Sequence, residues 1–244
     1  MAFREELERS GNFLFRWRSY IPLGLIVLVL ACILTSPDRA ESQDLWLEMT
    51  GFAVSLFGLF IRVMVIGYKA RGTSGRNTQQ QEASVLNTRG MYSMVRHPLY
   101  LGNFIIWFGL ALMFGEWWMA TIVGLIFWVY YERIIFAEEE FLRREFGQEF
   151  LDWAEGIPTF IPDFRKWKSP EVSFSWKKAL GNEYHGFFAI ISAFMVIEVL
   201  GDLIREHRFE IDILWAVIFG VGLVTYSVIR YLKRRTHVLD TPDR

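Results

Sequence analysis

The sequence predicts an all-α fold: a polytopic helical membrane protein of about six transmembrane helices with an added cytosolic amphipathic helix. Three observations lead there. The 244 residues are 52% hydrophobic and 17% aromatic, too apolar for an ordinary soluble domain. The apolar residues gather into runs, most of them near the ~20 residues that a spanning helix needs. Lysines and arginines cluster in the connections on one side of those runs, which is how membrane proteins set their orientation.

The runs fall at residues 20–34, 45–68, 99–114, 117–136, 186–203 and 211–232. The first is short, but Arg16 and Arg18 can snorkel, so residues 13–17 extend its apolar contact. Within it, Val29-Leu30-Ala31-Cys32 faintly resembles a lipoprotein processing site. The long upstream segment with Glu5, Glu6 and Glu8 suits a retained anchor better than a secretory signal. Run two holds Arg62 in its expected cytosolic half, where an unpaired guanidinium would be expensive. The loop at residues 72–81 is polar and turn-prone. Only Gly115 and Glu116 part runs three and four, so these form a tight antiparallel hairpin.

Residues 137–155 carry Phe141, Leu142, Phe146, Phe150 and Trp153 among charges. That pattern continues run four into an amphipathic helix, at the interface or over the hairpin mouth. Pro158 and Pro162 end it, and Phe164, Trp167, Phe174 and Trp176 then alternate with lysines as in an interfacial linker. Glu198 and Asp202 in run five are expected to face other helices. Three units result: N-terminal spans at 1–66, a core at 67–164, and a linker with the C-terminal spans at 165–244.

Arg4, Arg9, Arg16 and Arg18 precede the first run, and Lys233, Arg234 and Arg235 follow the last. Lys69 to Arg96 and Arg143 to Lys178 fill the second and fourth connections, whereas the opposite side holds Arg39, Arg205 and Arg208. Both termini are therefore expected in the cytoplasm. The net charge of −1 averages two unlike surfaces, and no nucleic-acid partner is expected. The single cysteine permits no internal disulfide. The four histidines lack ligand spacing, so no metal is expected, and the oligomeric state is left open. No Gly-x-Gly-x-x-Gly cofactor turn is present.

The chemistry concentrates where runs three and four meet the cytosol, in Arg96-His97-Pro98-Leu99-Tyr100 and Glu138-Glu139. Pro98 suits the first turn of a helix, and a helix N-terminus attracts a carboxylate or phosphate. His97 and Tyr100 add a ring nitrogen and a phenol, while Glu138 and Glu139 can accept hydrogen bonds from an ammonium. Together they suit a zwitterionic ligand. Each residue alone could equally be an ordinary boundary residue. Ionisable groups at membrane depth cost about 2.5 to 3.5 kcal/mol each at a helix centre, so a cluster of them points to function.

The stretch from Gly90-Met91-Tyr92 through Arg96-His97-Pro98-Leu99-Tyr100 to Gly102, followed by Glu138-Glu139, Leu142, Phe146-Gly147, Ile157-Pro158 and Pro162, resembles the integral-membrane isoprenylcysteine carboxyl methyltransferase family, which includes phospholipid methyltransferases. The resemblance covers residues 86–162. It implies S-adenosylmethionine as cofactor, held by Val85, Leu86, Tyr92, His97, Pro98, Leu99 and Tyr100, with Glu138 and Glu139 at its amino-acid end. Glu138 and Arg133 are the implied catalytic residues, Arg133 lying one position from the family's substrate-side arginine. Phe150, Trp153 and Thr159 depart from the family pattern, which bears on the acceptor more than on the cofactor.

A membrane-lipid acceptor with an anionic head needs cations, and Arg133 and Arg62 are the candidates for substrate binding. Arg62 could equally pair with a carboxylate or reach the headgroups. The loop at 72–78 with residues 96–104 is similar to bacterial lipid A phosphate methyltransferases. That implies O-methylation of a lipid phosphate at a bacterial inner membrane, ahead of a prenylcysteine carboxylate and then phosphatidylethanolamine nitrogen. Two readings of other classes remain, an NADPH-dependent membrane reductase and a non-enzymatic scaffold or transporter. Binding of S-adenosylmethionine, of NADPH, or of neither separates the three.

Overall fold

The computed structural model describes residues 3–18, 20, 24–35, 41–69, 84–205, 207, 209 and 211–240. The polar loop at 72–81, Arg39 and Arg208 lie outside them. Among the described residues the helices are α1 (Phe3–Trp17), α2 (Leu25–Thr35), α3 (Glu41–Gly67), α4 (Pro98–Leu112), α5 (Trp117–Phe146), α6 (Gln148–Gly156), α7 (Trp176–Arg205) and α8 (Ile213–Arg235). α1 places Glu5 and Glu6 in its first turn and Arg16 in its last, complementing the helix dipole. α8 is capped by Asp212, which accepts from the amides of Leu214 and Trp215 at 2.6 and 3.3 Å.

Four of the described helices are long and apolar enough to cross a membrane: residues Gln43–Gly67 of α3, and α5, α7 and α8. α2 and α4, with 11 and 15 residues, rise only about 16 and 22 Å, short of a ~30 Å hydrocarbon core. The third run is cut short physically. Pro98 opens α4, and Gly115 turns the chain at φ 62°. Residues 13–17 do not extend the first run but belong to the separate helix α1. Val217, Val221 and Val224 of α8 and Leu125 and Trp128 of α5 are exposed, an outer surface suited to acyl chains rather than water. This is an integral membrane protein.

The tightest seam joins α3 to α4. A Cβ at Gly51 would lie 2.5 Å from the Gly109 carbonyl oxygen, and one at Gly58 would lie 2.6 Å from that of Gly102. Between these points the Ser55 hydroxyl donates to the Ile106 carbonyl at 2.8 Å. Small residues serve this purpose in membranes, because close backbone approach substitutes for a hydrophobic driving force. α7 packs against α3, and α8 and α2 against α7. Phe52, Phe194 and Trp215 interlock across α3, α7 and α8 with ring centroids 5.4 to 5.6 Å apart. The Trp215 indole N–H donates to Glu48 at 2.8 Å. Glu198 of α7 interacts with Glu48 of α3, so it does face a neighbouring helix.

α1 lies antiparallel along the second half of α5. Arg4 pairs with Glu140, and Arg144 pairs with Glu8 at 2.6 Å. Gly11 sits directly on the Arg133 carbonyl, with Ala137 beside it. The amphipathic helix expected over 137–155 is divided. α5 runs on to Phe146, and Gly147, at φ 55°, starts α6 in a new direction, a conformation that glycine adopts without the strain of a Cβ.

The segment read as a linker is laced to the core. The Arg96 amide donates to Pro158 O at 2.9 Å, Asp163 to Met94 O at 3.0 Å, Gly90 to Lys168 O at 2.9 Å and Ser175 to Gly67 O at 3.0 Å. Gly109→Val should break the α3–α4 seam, since its Cβ meets the Gly51 carbonyl and Ser55. The expected cost is about 1 to 3 kcal/mol or more. It is read as a lowered midpoint of thermal unfolding in detergent, while Gly220→Val, at a position open around its Cβ, leaves the midpoint unchanged.

Candidate active site

The approach to α4 is built from tight local geometry. Gly90 adopts φ 60°, ψ −133°, a region open to glycine, and a single 3-10 turn, Met91–Ser93, follows. The Ser93 hydroxyl donates to Gly90 O at 2.7 Å and accepts from the Lys168 amide at 2.9 Å. Ser93, Met94 and Val95 are buried, so the chain reaches Arg96 in a fixed position. His97 is the N-cap of α4 and Pro98 its first residue; the His97 carbonyl accepts the first helix bonds, from Tyr100 and Leu101 at 3.1 Å. Its ring makes no capping bond and turns instead to α5.

There the acids meet it. His97 Nε2 lies 2.9 Å from Glu139 Oε1, and its Nδ1 lies 3.7 Å from Glu138 Oε2. Arg96 Nη1 donates to the other Glu139 oxygen at 3.0 Å, and its Nη2 donates to the Thr159 hydroxyl. Its Nε is buried and finds no partner among the described residues. Glu138 interacts with the phenol of Tyr100 and with that of Tyr92, whose pKa is pushed above its usual range by burial first and by the Glu138 charge second. Rings stack behind the acids, His97 on Tyr100 at 5.7 Å and Tyr100 on Tyr131 at 4.8 Å.

The structure thus brings Tyr92, His97, Pro98, Tyr100, Glu138 and Glu139 to one place. Leu99 is half-buried in the first turn of α4. Leu86 packs on the Leu142 and Phe150 cluster of α5 and α6, while Val85, 47% exposed, lines a narrow cleft with Tyr68 and Pro170. Arg133 turns toward α1, donating to the Ser10 hydroxyl at 3.0 Å. Arg62 forks onto Glu183 of α7 through Nε and Nη2, at 2.8 and 2.9 Å, and donates through Nη1 to Asn103 at 2.5 Å. That is the carboxylate pairing, one of the roles open to it from sequence. Asn103 in turn interacts with the Tyr131 phenol.

Asn103, Tyr131 and Glu183 were not singled out from sequence, and Thr159 only as a departure from the family pattern. Asn103 carried a usable signal, a polar side chain inside an apolar run, one helical turn beyond Tyr100; the others carried none until the fold paired them.

Two cavities meet at Glu139. A cleft of about 490 Å³ is lined by Arg96, Glu139, Glu140, Arg143, Phe150 and Glu155 among others. A second space of about 410 Å³ is an apolar groove walled by Phe104, Phe127, Trp128, Ile135, Phe136 and Phe160, with Glu139 and Thr159 also in its lining. Among the described residues no three His, Cys, Asp or Glu side chains are grouped to hold a metal ion.

Residues 47–149, which contain the arginine, histidine, tyrosine and glutamate positions of this site, match the phospholipid methyltransferase family. The nickel-cobalt-cadmium resistance protein NccN of Alcaligenes xylosoxydans xylosoxydans is 32% identical over 158 residues, 65% of this chain and 70% of that protein. The chain belongs to the phospholipid methyltransferase family. Among other relatives of this family member, the protein-S-isoprenylcysteine O-methyltransferase of Schizosaccharomyces pombe is 23% identical over 155 residues, 57% of this chain and 66% of the yeast protein. Protein-S-isoprenylcysteine O-methyltransferase B of Arabidopsis thaliana is 28% identical over 122 residues, 49% of this chain and 61% of the plant protein. No solved structure gives a significant match.

Glu183 is 3% exposed and bound to Arg62, so Arg62→Met strands a buried carboxylate. The expected loss is about 3 to 5 kcal/mol of stability. Adding Glu183→Leu should recover most of it in a thermal unfolding assay; no recovery would mean that Arg62 contributes through something other than this pair.

Proposed function

We propose that this chain is an integral-membrane methyltransferase that uses S-adenosylmethionine to methylate an amphiphilic acceptor, with O-methylation of a lipid phosphate such as that of lipid A as the preferred reaction. The observation that carries this is the meeting of a polar cleft and an apolar groove on one side chain, Glu139. A methyl donor with charged ends needs the first, an acceptor with a lipid chain needs the second, and transfer needs both at one point. Family membership supports the reaction class, and the yeast and plant relatives are named as O-methyltransferases.

The residues present fit the cofactor. Its amino-acid end carries an ammonium and a carboxylate; Glu138 suits the first, and the unpartnered Nε of Arg96 suits the second. His97, Tyr92 and Tyr100 would line the same end. The indole N–H of Trp153, also buried without a partner among the described residues, lies with Leu86 and Phe150. That combination of apolar surface and one donor suits a purine. When bound, S-adenosylmethionine supplies a sulfonium methyl whose carbon–sulfur bond breaks, the electron pair staying on sulfur, as the acceptor atom bonds the carbon.

The chain's own work is alignment. The Glu139 carboxylate fixes Arg96 and His97, the stacked rings hold His97 and Tyr100 in plane, and the groove orients the acceptor chain, which together convert an encounter in the bilayer into an effectively intramolecular one. A prenylcysteine carboxylate is the second reading, favoured by the names of the yeast and plant relatives. Phosphatidylethanolamine nitrogen would be a third. The arginine and lysine distribution supports a site and both termini at the cytoplasmic face, and the reading takes the membrane to be a bacterial inner membrane and residues 67–164 to be the catalytic unit.

His97→Ala and Glu138→Ala should each weaken S-adenosylmethionine binding about tenfold, the worth of one charged hydrogen bond. Calorimetry showing unaltered affinity in both variants removes the cofactor assignment. Gly124 lines the groove with open space around its Cβ. Gly124→Leu should therefore raise the acceptor KM severalfold by filling the groove, at unchanged cofactor affinity. Mass spectrometry of total lipids from cells with and without the gene identifies the acceptor class by a methyl-sized shift.

A further inference from the structure

The two arginines that sequence offers for an anionic acceptor are both engaged elsewhere: Arg62 with Glu183 and Asn103, Arg133 with Ser10. Another guanidinium lies in a third cavity. This cleft, of about 780 Å³, is lined by Arg96, Glu155, Thr159, Asp163, Arg165 and Lys166 among others. It shares Arg96 and Glu155 with the polar cleft assigned to the methyl donor, and Thr159 with the apolar groove. Arg96 ties the three spaces together, because it donates to Glu139 at 3.0 Å and also to the Thr159 hydroxyl.

The far wall of the cleft is fixed in place. Asp163 caps the 3-10 turn Phe164–Lys166, accepting from the Arg165 amide at 3.1 Å, while its own amide donates to Met94 O at 3.0 Å, just before Arg96. Lys166 donates to the Gly156 carbonyl at the end of α6, with the Asp163 carboxylate 3.8 Å away, so its charge is met within the protein. Arg165 differs. It is exposed on the cleft, and its guanidinium has no hydrogen-bond or ion-pair partner among the described residues. Ile161 and Phe164, also in the lining, are 79% and 74% exposed. Large apolar side chains left open beside a cation suit a bilayer surface rather than water, so the cleft opens where lipid heads lie.

We propose that this cleft takes the part of the acceptor head that continues beyond the methylated atom, and that Arg165 pairs with an anionic group there. Tail and donor occupy the groove and the polar cleft, which meet at Glu139; a head that ended at the methylated atom would have no use for the third space. An arginine suits the task because its planar fork holds an oxyanion bidentately, and Glu155 in the same lining can accept from hydroxyls of the head. The acceptor is thereby a lipid with an extended, anionic head. This rests on the methyltransferase reading for its meaning in catalysis and narrows that reading, since it disfavours the compact head of phosphatidylethanolamine, whose amine is terminal.

The test uses the full chain in dodecyl maltoside micelles, titrated with the dioleoyl forms of phosphatidic acid, phosphatidylinositol or phosphatidylinositol 4-phosphate and followed by tryptophan fluorescence. Wild type should bind the last, whose head is both extended and doubly anionic, about tenfold more tightly than the other two. Arg165→Gln should remove most of that preference and Arg165→Lys should keep part of it. Lys168→Gln, at an exposed position outside the cleft lining, should leave it within about twofold of wild type. Phosphatidic acid and S-adenosylmethionine binding should also stay within about twofold in all three variants. No preference in the wild type overturns the proposal, as does an unchanged preference in Arg165→Gln. An equal loss in Lys168→Gln overturns it too, since that marks the general attraction of a basic surface for polyanions. Failure of wild-type protein to bind S-adenosylmethionine by calorimetry overturns the methyltransferase reading instead, and the Arg165 dependence of the lipid preference is still measured in that case.

Discussion

A single carboxylate shared between a guanidinium and an imidazole holds this end of the molecule together. Glu139 places one oxygen on Arg96 and the other on His97, both of which immediately precede α4. Without it, Arg96 would be a partly buried cation, 18% exposed, at the edge of a region where charge is costly. With it, the start of α4 is fastened to a point on α5, and because both are stiff helices that contact sets the register of the whole hairpin. Everything that converges there, the Tyr92 and Tyr100 phenols on Glu138 and the stacked rings behind them, follows from that registration.

A second polar chain connects the site to α7, which lies outside the residues matched to the family. Glu183 of α7 holds Arg62 of α3, Arg62 holds Asn103 of α4, and Asn103 meets Tyr131 of α5, whose ring stacks on Tyr100. Four helices therefore share one network, each link satisfied by the next. The glycine seam between α3 and α4 makes it possible, since Arg62 packs its stem where a Cβ on Gly102 would otherwise sit. α7, plain in sequence, thereby acquires a part in supporting the aromatic stack.

Most of the helices, the hairpin turn at Gly115 and the proline-opened α4 were legible in the sequence, because apolar run length, glycine and proline act locally. So was the meeting of His97 with Glu138 and Glu139, which follows from a hairpin that returns to the same end. What was not legible depends on partners distant in sequence. The Arg62 and Glu183 pair joins residues 121 positions apart, and only packing of α7 on α3 reveals which of its possible roles Arg62 takes. The break at Gly147 was hidden because the amphipathic pattern continues across it, and the segment after Pro158 read as a linker because several of the bonds that lace it to the core are made by backbone amides, which no side-chain pattern records.

The docking of α1 on α5 has a consequence for biosynthesis. Ser10 and Arg133, bonded in the finished protein, are 123 residues apart, so the ribosome needs roughly 6 to 25 s to make the second after the first. During that interval α1 has no partner, and its strongly amphipathic character lets it wait flat against the headgroups. α1 thus waits for α5, and the wall of the groove to which Leu7 contributes closes only once that helix has emerged and inserted.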